Sequence, residues 1–109
     1  MNAKIKAKWV AALRSGKFKQ GIGQLISEDR KKFCCLGVLC ELHRRITHGD
    51  EWSQTGFYFG RSGALPDEVK KWAGLESQNP LVEGTSLANW NDGSTVGFRG
   101  IANRIEKHL

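Results

Sequence analysis

KFCCLGVLCEL, from Lys32 to Leu42, carries no charge between Phe33 and Cys40. A run of that kind is buried on every side, and cysteine is among the most completely buried residue types. Cys35, Leu39, Leu42 and Ile46 recur at i, i+4, i+7 and i+11, one face of a helix that Gly49 would end. The same wheel turns Glu41, Arg44 and Arg45 toward water. Phe33 and Cys34 finish a strand ahead of this helix, after a polar turn from Ser27 to Lys32.

Upstream, Ile5, Trp9 and Leu13 recur every four residues, and the spacing predicts a helix stopped by Gly16. Residues 17–26, KFKQGIGQLI, shift to short apolar alternation broken by Gly21 and Gly23, the pattern of a hairpin or bent strand. Downstream, Thr55–Phe59 (TGFYF) is a second strand candidate on β propensity. Leu65, Pro66, Asp67 and Glu68 open a helix with apolar Val69, Trp72 and Ala73, closed by Gly74. Residues 79–83 form a short strand, Leu87–Trp90 a single helical turn, and Asn91, Asp92 and Gly93 a tight turn. Thr95 caps a last helix carrying Phe98, Ile101, Ala102, Ile105 and Leu109 on one stripe. With no repeat or linker, residues 1–109 are expected to form one compact α+β domain, about four helices around a small, mostly antiparallel sheet.

Of 109 residues, 39% are apolar, enough for one core, and four Trp with five Phe supply its bulk. No segment approaches the roughly 20 apolar residues that cross a bilayer, so no membrane role is expected. Three cysteines, two of them adjacent, do not make a disulfide framework, and a reducing cytoplasm is the expected compartment. The net charge of +6 is lopsided: residues 1–50 hold eleven Lys and Arg against four acids, +7, and residues 51–109 hold six against seven, −1. The basic half suits a phosphate-bearing partner, though charge of this kind equally serves to solvate a helix.

Cys40 and His43 stand at i and i+3, but the spacing fits no common zinc pattern, and core packing explains the thiols better. A nucleophilic Cys34 or Cys35 at a helix start would need an imidazole, and His43, His48 and His108 are poorly placed to serve. No hydrolase, P-loop or dinucleotide fingerprint is present, so neither catalysis nor a cofactor is expected. Glycine backbone beside Lys and Arg does make a workable phosphate cradle. Arg14, Lys17, Lys19, Gln20, Gly21 and Gly23 supply one, with Trp90 as a stacking surface beside Asn91 and Asp92. A basic hairpin and a tryptophan sealing the core edge would read the same way. Nothing supports sequence-specific nucleic-acid recognition; backbone contact is the most the charge allows.

The CCLGVLC segment, together with WVAALRSGKFKQG (9–21), LPDEVKKWAGL (65–75) and FRGIANRIEKHL (98–109), resembles a group of small proteins encoded by tailed bacteriophages and prophages. That group brings no catalytic residues to carry over. The resemblance implies a viral accessory protein acting in the host bacterial cytoplasm against host defence. Joined to the basic glycine-bearing segment, it suggests sequestration, without catalysis, of a small anionic nucleotide immune signal. The alternative is direct binding of a host defence protein or nucleic acid. A cysteine enzyme ranks third, and a second copy of the chain is a further candidate partner.

Overall fold

The computed structural model describes residues 1–93 and 95–109. Among these residues five helices and two short two-stranded sheets build one α+β domain: α1 (Ala3–Arg14), β1 (Lys19–Gln20), β2 (Lys32–Phe33), α2 (Cys35–Thr47), α3 (Asp67–Ala73), β3 (Leu81–Val82), β4 (Thr85–Ser86), α4 (Leu87–Asp92) and α5 (Phe98–His108). Its centre is α2, in which every residue from Cys35 to Glu41 is buried. Burial so complete brings the backbone of Leu25 against the helix. A Cβ on Gly37 would lie 1.8 Å from the Leu25 carbonyl oxygen, so only glycine fits there.

The first helix covers this centre and the last packs on the first. α1, with Trp9, Val10 and Leu13 buried, and α5, with Phe98, Ile101, Ala102 and Ile105 buried, form the most extensive helix pairing among the described residues. The Trp9 indole is buried and donates to the Cys35 carbonyl at 2.9 Å, so its one polar atom is satisfied.

The strands form two small sheets in place of the one small, mostly antiparallel sheet expected. β1 pairs with β2 in parallel, Lys19 opposite Lys32 and Gln20 opposite Phe33, while β3 and β4 form a separate antiparallel ladder. No hairpin forms over residues 17–26. The turn lies instead at Ser27–Arg30, where Arg30 adopts φ 61°, and it returns Ile26 antiparallel to Phe33. β2 thus has a neighbour on each side, one reached by a turn and one by a crossover.

Three other expectations change. TGFYF is not a strand: Gly56, Phe59 and Gly60 all have positive φ, and Tyr58 makes one antiparallel bridge to Arg61. Asn91 and Asp92 are helical, because α4 runs on to Gly93, so no separate turn forms there. The N-cap of α5 is Gly97, not Thr95, and it offers no side-chain cap. α3 begins after Pro66 and ends on left-handed Gly74, as its sequence predicts.

Candidate functional site

Gln20, Gly21, Gly23, Asn91 and Asp92 do meet in space, but as a joint tying the loop after β1 to α4. Gln20 Nε2 donates to Asn91 Oδ1 at 3.1 Å and to the Val96 carbonyl at 3.2 Å. Asn91 Nδ2 donates to the Gly21 carbonyl at 2.7 Å and to Asp92 Oδ1 at 3.0 Å. Asn91 Oδ1 also accepts from the Cys35 amide at 3.1 Å, which holds the start of α2. Gly23 N–H donates to Asp92 at 3.1 Å. Asn91 is buried and its amide is fully used, so it holds the fold and has nothing left for a ligand.

Trp90 stands apart from that joint. Its indole donates to the Val82 carbonyl at 2.8 Å, and the Arg104 guanidinium sits 4.3 Å from its ring centroid. A cation covers one face of the ring that the sequence offered to a base. Arg14 is also engaged, donating to both carboxylate oxygens of Glu106, at 3.1 and 3.3 Å, and to Asn103 at 2.7 Å. Lys17 and Lys19 are exposed.

Where α1 ends and α5 begins lies an open groove of about 420 Å³. Its walls are Arg14, Phe18 and Gln20 on one side and Gly97, Phe98 and Arg99 on the other. The first amides of α5 have no intrahelical acceptor and no side-chain cap, and the helix dipole makes that end positive. A second groove of about 310 Å³, lined by Gln20, Ile22, Asn91, Thr95, Val96 and Gly97, shares two of those residues. Arg99 was not among the residues the sequence singled out. The signal it carries is a basic side chain two positions after an uncapped glycine. A larger groove of about 550 Å³ runs along α1 over Ala3, Ala7, Val10 and Ala11, and its few polar groups suit an anion less well.

All three thiols are buried. Cys34 caps α2 by accepting from the Gly37 amide at 3.3 Å, and burial pushes its thiol up to about 11. Burial raises Cys35 and Cys40 well above the ordinary range as well. His43 Nδ1 is 2.7 Å from the Tyr58 hydroxyl, and burial favours the neutral form of both rings, holding His43 low and pushing Tyr58 up to about 12. Among the described residues no three His, Cys, Asp or Glu side chains cluster as metal ligands would.

Glu41 reverses its expected orientation and is buried, 5% exposed. Arg44 and Arg45 reach it at 2.8 and 2.7 Å, and the Trp52 indole donates to it at 2.9 Å. Burial alone would raise its carboxyl; hydrogen bonds from Arg44, Trp52 and Arg45 outweigh that and hold it at about 2. The loop carrying Trp52 and Tyr58 covers this side of α2, which is why a charge inside one helix period of the core is tolerated.

A family model described as a domain of unknown function, DUF8296, matches residues 1–109, and the chain belongs to that family. No curated protein and no solved structure matches it. Among the described residues no helix is long and apolar enough to cross a membrane.

Proposed function

We propose that the chain binds a small phosphate-bearing anion, a nucleotide-type immune signal, in the groove between the end of α1 and the start of α5, and holds it without chemical change. The observation that carries this reading is the juxtaposition of Arg99 and the uncapped start of α5 around one open groove, with Arg14, already paired to Glu106, at its edge. Guanidinium donors and free helix amides are complementary to phosphate oxygens. No carboxylate, imidazole or thiol lines the groove, which favours retention of a ligand over its turnover. The resemblance to phage and prophage proteins supplies the setting, counter-defence in the cytoplasm of a host bacterium.

Calorimetry against cyclic dinucleotides and ADP-ribose derivatives tests it. Arg99→Ala should weaken binding at least about tenfold, the effect of losing one charge-assisted hydrogen bond. Its thermal transition should stay unchanged, because the side chain is exposed. Absence of heat with every nucleotide overturns the reading. Direct capture of a host defence protein is the second reading, favoured by Ile22, which is 68% exposed at the lip of the second groove.

A further inference from the structure

The two grooves that share Gln20 and Gly97 differ in chemistry on either side of that junction. Arg14 and Arg99 stand on the walls of the first, whereas no charged side chain lines the second, whose apolar surface comes from Ile22 and Val96. Each alone, at about 420 and about 310 Å³, falls toward the small end of ligand sites, which run from about 300 to 1,000 Å³. Together they make one trough, cationic at one end and neutral at the other.

A single exposed isoleucine needs no special account. Ile22, however, sits on a loop that α4 holds on both sides. The Gly21 carbonyl accepts from Asn91 Nδ2 at 2.7 Å, and the Gly23 amide donates to Asp92 at 3.1 Å. An apolar side chain fixed in place beside a groove is preorganised, so covering it removes apolar surface from water with little further ordering of the chain.

Gln20 lines both grooves. Its Nε2 donates to Asn91 Oδ1 and to the Val96 carbonyl, and because both partners are acceptors the amide has only one orientation. Oε1 is therefore the atom on the Gly97 side, 3.9 Å from where a Cβ on that glycine would stand. Among the described residues no donor reaches Oε1, and it is open to solvent. The junction thus offers one free acceptor.

We propose that the second groove receives the uncharged nucleoside end of a ligand whose phosphates occupy the first, with Ile22 and Val96 covering a face of the base and Gln20 Oε1 accepting from a sugar hydroxyl. The inference rests on the anion reading of the first groove and adds what lets the site select nucleotides over plain phosphates. Phosphate, sugar and base follow one another in a nucleotide in the order of guanidinium, amide oxygen and apolar surface along the trough. Pyrophosphate satisfies the first groove alone.

The test is calorimetry of the full chain with ADP-ribose and with cyclic di-AMP, each beside pyrophosphate at the same salt concentration. At least one nucleotide should bind about tenfold or more tighter than pyrophosphate, the scale on which a pocket reads apolar contact. Ile22→Ala should remove that advantage and leave pyrophosphate binding unchanged, and the exposure of the side chain leaves the fold untouched. Ile22→Leu, which keeps the apolar area, should bind as the parent does. Arg99→Ala should weaken nucleotide and pyrophosphate alike. Pyrophosphate bound as tightly as the nucleotides overturns the inference and leaves the anion reading of the first groove standing. A nucleotide affinity unmoved by Ile22→Ala, or a variant that loses both ligands equally, does the same. No heat with either nucleotide or with pyrophosphate overturns both together.

Discussion

Two pairs of basic residues sit on neighbouring parts of the chain under opposite conditions. Arg44 and Arg45 converge on Glu41 beneath Trp52, where every charge has its partner. Lys19 and Lys32 stand opposite each other across two strands, both exposed and with no carboxylate within ion-pair distance among the described residues. The first arrangement is interior electrostatics, which the fold needs. The second is a surface feature that the fold tolerates. Where charge is matched internally, loss of a member should destabilise the protein; where it is unmatched, loss should relieve repulsion.

The largest effect is expected on the interior side, at Gly37. Gly37→Ala forces a Cβ into the Leu25 carbonyl, and because that obstacle is backbone, α2 must move. A loss of about 3 kcal/mol or more is expected, at the upper end for overpacking, which chemical denaturation would register as a collapsed midpoint or an unfolded chain. A normal midpoint would show that α2 is not seated as described.

Glu41→Gln should cost less, about 2 to 3 kcal/mol, since Arg44 and Arg45 reach water while the Trp52 donor loses a charged acceptor. The deficit has a pH signature. A carboxyl held at about 2 in the fold and near its ordinary 4.5 when unfolded stabilises fully above pH 4.5 and loses that contribution as pH falls toward 2. The parent and the variant should therefore converge over that window when unfolding is followed against pH. A constant difference would mean that Glu41 acts by shape and not by charge.

The smallest effect has the opposite sign. Lys32→Ala removes the partner of Lys19 and should raise stability by a few tenths of a kcal/mol in low salt, with the gain fading as salt is added. A destabilised variant would mean that the aliphatic stem of Lys32 beyond Cβ matters more than its charge.

What was legible in the sequence was whatever depended on near neighbours. The stripe of Phe98, Ile101, Ala102 and Ile105 follows the helical period and is buried as that period predicts. The apolar run of α2 and the Pro66 and Gly74 boundaries of α3 were likewise written locally. Pairings across distance were not. Lys19 and Lys32 are thirteen positions apart and could be joined only by knowing that the turn fell at Ser27–Arg30, away from the glycines. Glu41 reads as solvated from the helical period because nothing local shows that the loop with Trp52 and Tyr58 returns to cover it. Of the candidate ligand residues, Gln20, Asn91 and Asp92 meet and bond to one another, a pairing across distance that no local pattern reveals.

The closure of α1 on α5 bears on how the molecule opens. Terminal helices ordinarily fray, and their amide hydrogens are among the first to exchange with solvent. Here α1, with Trp9 and Leu13 buried, carries α5, and Trp9 is bonded on to the first turn of α2. Peeling α5 away uncovers α1, and peeling α1 away uncovers the central helix, so amide exchange in the middle of α5 should be slow and tied to unfolding of the whole domain.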